Sequence, residues 1–157
     1  MKKFYFMIIL FFSTSIFAAE KFPALCQISG IHFGKGAVLF YAQHTAKPRL
    51  YAIKNKSDKA IWLTHQKKNP SASAGWDTQI MPNHWSVILV TERNFDLQCH
   101  FQTKSEGMKD VPCKKFLNVC QFNDFSSKHP IEGGYWVVEN VLFPALEPRM
   151  HARGFES

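Results

Sequence analysis

Cysteine and histidine are the side chains here best suited to chemistry, and their spacing argues against most of it. The cysteines, Cys26, Cys99, Cys113 and Cys120, form no C-x-x-C pair. The seven histidines, His32, His44, His65, His84, His100, His129 and His151, form no H-x-H or H-x-x-x-H pair. Metal sites draw on such pairs because ligands at those spacings converge on one ion, so no metal site is expected. Serines are plentiful, but no G-x-S-x-G segment lifts one onto a nucleophile elbow. Gly133-Gly134 precedes an aromatic strand and reads as a turn rather than a phosphate cradle. Asn55-Lys56-Ser57, a glycosylation sequon by type, reads as a turn as well. No catalytic residue and no cofactor follow, and the chain reads as a non-enzyme.

The cysteines instead look structural. The chain opens Met1-Lys2-Lys3, runs through an apolar stretch from Phe4 to Phe12, and leaves through Ser13-Thr14-Ser15-Ile16-Phe17-Ala18. A cationic start, an apolar middle and a small-residue exit make a secretory signal peptide, residues 1–18. The stretch is shorter than the roughly 20 residues of a spanning helix, and no later segment is long enough either, so no integral span is expected after cleavage. Leu25 precedes Cys26 where a lipidation signal needs a small residue. Export to an oxidising compartment, the periplasm or the exterior, makes disulfides the expected state of all four thiols.

Four cysteines allow three connectivities, and geometry ranks them. Cys113 and Cys120 are seven residues apart, about 10 Å as a helix and more as a strand, beyond disulfide reach. A hairpin centred on Glu106 would set Cys99 opposite Cys113 and Phe101 opposite Val111. Directly opposed residues lie about 4.5 Å apart at Cα, inside the bonding range. The expected pairs are Cys99–Cys113 and Cys26–Cys120, with Pro112 opposite His100 on an edge strand.

These bonds must be held by strands. Apolar runs at 25–33, 37–42, 50–54, 61–65, 85–91, 95–101, 119–122 and 135–141 are separated by polar or Gly/Pro breaks. That spacing predicts an all-β fold, an antiparallel β-sandwich of immunoglobulin-like or related form. In Phe95-Asp96-Leu97-Gln98-Cys99-His100-Phe101 the alternation is strict, which marks one buried and one wet face. Trp85-Ser86-Val87-Ile88-Leu89-Val90 is apolar on both faces, so it is expected centrally and well covered. Cys26 and Ile28 share one parity and Ile31 and Phe33 the other, which a glycine bulge at Gly30 would accommodate. One β domain is expected over residues 19–143, followed by a C-terminal tail over 144–157 that carries two prolines and mixed charge and is read as a short helix or partly disordered.

Nineteen Lys and Arg against twelve Asp and Glu give +7, and loss of Lys2 and Lys3 with the signal leaves +5. The lysines are scattered, which reads as solubility with weak affinity for anionic envelope polymers; export argues against nucleic acid. The densest group of recognition-type residues is Ser73-Ala74-Gly75-Trp76-Asp77-Thr78-Gln79-Ile80-Met81-Pro82-Asn83-His84-Trp85-Ser86. Trp76, Asp77, His84 and Trp85 are the candidate binding residues, since exposed tryptophans suit a protein or glycan surface. The bland alternative is that both tryptophans plug one end of the sandwich.

That cluster, with Asn94-Phe95-Asp96-Leu97-Gln98-Cys99, Val111-Pro112-Cys113-Lys114-Lys115-Phe116-Leu117-Asn118-Val119-Cys120 and Gly134-Tyr135-Trp136-Val137-Val138-Glu139-Asn140, resembles the enhanced-entry protein B (EnhB) family of Legionella and related gammaproteobacteria. The resemblance runs roughly from Phe22 to Asn140. It implies a small exported envelope protein linked to host-cell entry or intracellular survival, and it brings no catalytic residues. The expected function is therefore a non-catalytic module that binds an envelope protein or cell-wall glycan. An envelope hydrolase or hydrolase inhibitor is the alternative, and it requires a pocket where histidines and acids converge.

Overall fold

The computed structural model describes residues 22–28, 31–40, 47–65, 77–92, 95–104, 107–131 and 133–156. The expected signal peptide, Gly30 and Trp76 lie outside these residues. In chain order the elements are β1 (Cys26–Gln27), β2 (Ile31–Phe33), β3 (Ala37–Phe40), β4 (Arg49–Asn55), β5 (Ile61–Thr64), β6 (Thr78–Ile80), β7 (Trp85–Val90), β8 (Phe95–Thr103) and β9 (Gly107–Val111). Helix α1 (Cys113–Phe116), β10 (Leu117–Phe122), β11 (Ser126–Ser127), β12 (Tyr135–Val141), α2 (Phe143–Ala152) and β13 (Phe155–Glu156) complete the chain. No helix among the described residues is long and apolar enough to cross a membrane.

Two antiparallel sheets carry the fold. Sheet A has the order β1-β10-β4-β7-β12, and sheet B the order β2-β3-β8-β5-β6. Strand β9 continues the edge of β8 beyond β3, which pairs with residues 95–98 while β9 pairs with 99–103. The expected antiparallel sandwich forms. Alternation assigns the faces: Tyr51, Ile53, Ile88, Val90 and Val119 of sheet A meet Val38, Phe40, Ile61, Leu63 and Leu97 of sheet B in one buried core. The intervening residues Leu50, Ala52, Trp85, Val87 and Leu89 face the other way and are buried against Leu146, Met150 and Phe155. Sheet A is thus the middle layer, with sheet B on one side and α2 with β13 on the other. All six residues of β7 are buried, as a strand apolar on both faces requires.

The buried asparagine of this interior is matched, whereas the Trp136 indole N–H has no partner among the described residues. Asn55, fully buried, donates from Nδ2 to Lys59 O and Ile80 O at 2.7 and 2.8 Å, and its Oδ1 accepts from Ser57 N at 2.8 Å. The Asn-Lys-Ser segment is therefore the β4–β5 turn, with its asparagine sealed inside. Burial raises the Tyr51 phenol above its ordinary pKa, opposed in part by hydrogen bonding to Arg49.

Three expectations change. First, both expected disulfides form, Cys26–Cys120 and Cys99–Cys113, each with Cα atoms 5.4 Å apart, but the hairpin register differs. Cys99 pairs with Val111, Phe101 with Lys109 and His100 with Asp110. The bond is diagonal because Pro112, which has no N–H to give a ladder, sits outside the strand and starts α1. Second, the run 25–33 is two strands in different sheets, β1 in A and β2 in B. The parity change marks a sheet crossing, and Ile28 is 67 % exposed instead of sharing the burial of Cys26. Third, of the two readings of the tail the helix forms, and residues 144–156 are a structural layer. Helix α2 buries Leu146 and Met150 on sheet A, and β13 pairs with β11. Strand β12 serves the same core through a bulge that turns both Val137 and Val138 inward.

A candidate binding face on the outer side of sheet B

Among the described residues no element is layered over the outer face of sheet B, in contrast to both faces of sheet A. Alternation sends Trp62 and Thr64 of β5, Gln79 of β6, Asp96, Gln98 and His100 of β8, and Met108 and Asp110 of β9 to that face. Register then sets Gln79, Trp62, His100 and Asp110 side by side in one row across four strands. This row is the centre of the face.

Hydrogen bonds hold it in place. His100, 8 % exposed, lies 2.8 Å from Asp110 Oδ1 through Nδ1 and 2.8 Å from Thr64 Oγ1 through Nε2. A carboxylate only accepts, so the ring proton belongs on Nδ1, and the neutral ring then accepts the Thr64 hydroxyl at Nε2. Beside it His65 Nδ1 lies 2.7 Å from Asp96 O and 3.1 Å from Asp96 Oδ1, and its ring stacks on Phe95 at 4.3 Å. The Trp62 indole N–H is buried without a hydrogen-bond partner among the described residues.

Two hollows meet this row, one at His100 and one at Gln79. One of about 370 Å³ is lined by Thr64, His65, Asp77, His100 and Met108. The other, about 420 Å³, is lined by Lys59, Ala60, Gln79, Phe101, Gln102, Thr103 and Lys104. A larger hollow of about 480 Å³ between the start of β4 and the end of β10 mixes Lys47 and Arg49 with Asp124. It has no comparable row of aligned side chains.

Thr64, His100 and Asp110 stand in the hydroxyl–imidazole–carboxylate order of a nucleophilic triad, at working distances. A triad carboxylate is buried, so that it holds and stabilises the imidazolium. The Asp110 side chain is 88 % exposed, and water screens that coupling. The chemistry this arrangement serves best is adhesion of β5, β8 and β9 into one stiff surface. No group of three or more His, Cys, Asp or Glu among the described residues is placed to hold a metal ion.

The sequence-derived candidates separate. Trp76 lies outside the described residues. Asp77 is exposed and lines the smaller hollow. His84 belongs to the turn that carries the chain from sheet B to sheet A. Its Nδ1 bonds Pro82 O at 2.8 Å, its backbone bonds Met81 and Asn55, and Asn83 beside it takes φ 59°. Trp85 is 1 % exposed, packed edge-on to Phe22 at 6.1 Å and against Phe143 at 5.7 Å, so it is core and not a contact surface. The residues the sequence reading did not single out are Trp62, Thr64, Gln79 and Asp110. Ile61-Trp62-Leu63-Thr64 carried a signal, because Ile and Leu inward leave Trp and Thr outward.

No protein-family model, no curated protein and no solved structure matches this chain. The two closed disulfides, with no free cysteine among the described residues, belong to an oxidising, non-cytoplasmic setting.

Proposed function

We propose that this is a small exported, non-catalytic binding module of the bacterial envelope, similar to EnhB, that engages an envelope protein or cell-wall glycan. It works in the periplasm, with release to the exterior as the alternative, in the setting of host-cell entry or intracellular survival. The observation that carries this reading is the asymmetry of the layers. Sheet A is covered on both faces, whereas the outer face of sheet B presents the row Gln79, Trp62, His100 and Asp110. The Cys99–Cys113 bond ties β8 to α1 behind it, so the surface meets a partner with little ordering cost. The contact surface moves accordingly from Trp85 to Trp62, with Asp77 retained. Capture of an identified envelope component by the immobilised protein tests it. Trp62→Ala should release that component, whereas Leu142→Ala, exposed beside α2, should not.

A second reading, an envelope hydrolase, has one observation in its favour, the Thr64–His100–Asp110 chain. Hydrolysis of cell-wall or ester substrates abolished by Thr64→Ala would carry it over the first.

A further inference from the structure

We infer that the hollow beside Gln79, at one end of the row, takes the acidic unit of a glycan chain, a sugar bearing carboxylate, sulfate or phosphate. This rests on the binding-module reading and names its ligand class. The hollow's walls carry two cations, Lys59 and Lys104, and neither is in an ion pair among the described residues. Lys59 is anchored: its carbonyl accepts from Asn55 and Ser57, both at 2.7 Å, and its ammonium stands 5.9 Å over the Phe101 ring. The Gln79 and Gln102 amides, which also line it, have no hydrogen-bond partner among the described residues. Cations for an anion and free amides for hydroxyls are what an acidic sugar needs.

The surroundings add polarity. Lys109 is the cross-strand partner of Phe101, and Lys115 stands 5.3 Å over Phe116, whose ring meets Phe101 at 4.9 Å. Among the described residues, Asp58 in the turn before Lys59 is an acid on this side. Across Trp62 the other hollow carries Asp77, and Asp110 stands on the row between. An acidic unit is thus favoured at the lysine end and disfavoured at the far end. An anionic bilayer fits less well. The large exposed apolar side chains lie mainly elsewhere: Leu25 and Ile28 around β1, Met81 at the β6–β7 turn, and Tyr135 and Leu142 on and after β12.

The test is calorimetric titration of the oxidised protein with tetragalacturonate and with a heparin tetrasaccharide, at two salt concentrations. The methyl-esterified tetragalacturonate and phosphatidylglycerol vesicles are run beside them. Binding of at least one acidic oligomer is expected, with roughly tenfold loss in K59Q/K104Q. The double variant K35Q/K47Q removes the same charge from exposed lysines elsewhere and should shift the Kd less than about twofold. Equal loss in both double variants, equal binding of the neutral ester, binding of vesicles alone, or no binding to either oligomer would overturn the inference. If it fails while a Trp62-dependent envelope partner persists, the acidic glycan is wrong and the binding module stands. If Trp62→Ala also changes nothing, the binding face itself is wrong.

Discussion

Replacing Cys26 and Cys120 together with alanine removes a cross-link between residues 94 positions apart; the same change at Cys99 and Cys113 opens one that spans 14. A cross-link stabilises chiefly by restricting the unfolded chain, and the loss grows with the logarithm of the loop. That relation gives about 4.7 kcal/mol for a loop of about 100 residues and about 3 kcal/mol for one of about 15. Cys120, Cys99 and Cys113 are all buried to within 1 %, so the volume lost in the core is comparable and does not invert the order. The long link also restrains β1, a two-residue edge strand paired only with β10. Equilibrium urea unfolding of both double variants, followed by tryptophan fluorescence without reductant, should therefore show the Cys26/Cys120 variant losing more. The expected difference is about 1–2 kcal/mol. A larger loss at Cys99/Cys113, or a loss under about 1 kcal/mol for both, would refute the reasoning.

Asn55→Leu leaves the buried Ile80 carbonyl without its donor, while Lys59 O keeps the Ser57 hydroxyl, and should cost about 1–3 kcal/mol in the same assay. Gly154→Ala forces a residue at φ 77° to carry a Cβ that meets His129 Cδ2 at 3.1 Å and Lys128 Cβ at 3.3 Å, with an expected loss of about 1–2 kcal/mol read by thermal unfolding. The Glu156 carboxyl is held below its ordinary pKa by a hydrogen bond and charge from Lys128 at 3.0 Å. Its contribution is present at neutral pH and fades as the pH falls through that lowered pKa, and Lys128→Gln should move the carboxyl titration upward by NMR.

Much of this architecture was legible in residue patterns. The double-sided apolar run of β7 required cover on both faces, and the middle layer provides it. Strict alternation in β8 put Asp96, Gln98 and His100 on the face away from the core, where they stand, although His100 is buried there. The hairpin register was not legible, because diagonal cysteines with Cα atoms 5.4 Å apart satisfy a disulfide as well as opposed ones. Helix α2 was obscured by Pro144 and Pro148; the second removes an interior N–H, and packing of Leu146 and Met150 outweighs that cost. Trp85 drew attention as a recognition residue because large aromatics serve interfaces and cores equally. Trp62 escaped it because the row it centres exists only after β5, β6, β8 and β9 come into register.

The most direct test of the binding face is chemical-shift mapping of the isotope-labelled, oxidised protein on addition of a solubilised bacterial envelope glycan and protein fraction. The account predicts shifts at the Trp62 indole N–H, Gln79, His100 and Asp110, and their loss in Trp62→Ala. Shifts confined to α2, β12 and the turn at His84, or none anywhere, would contradict it.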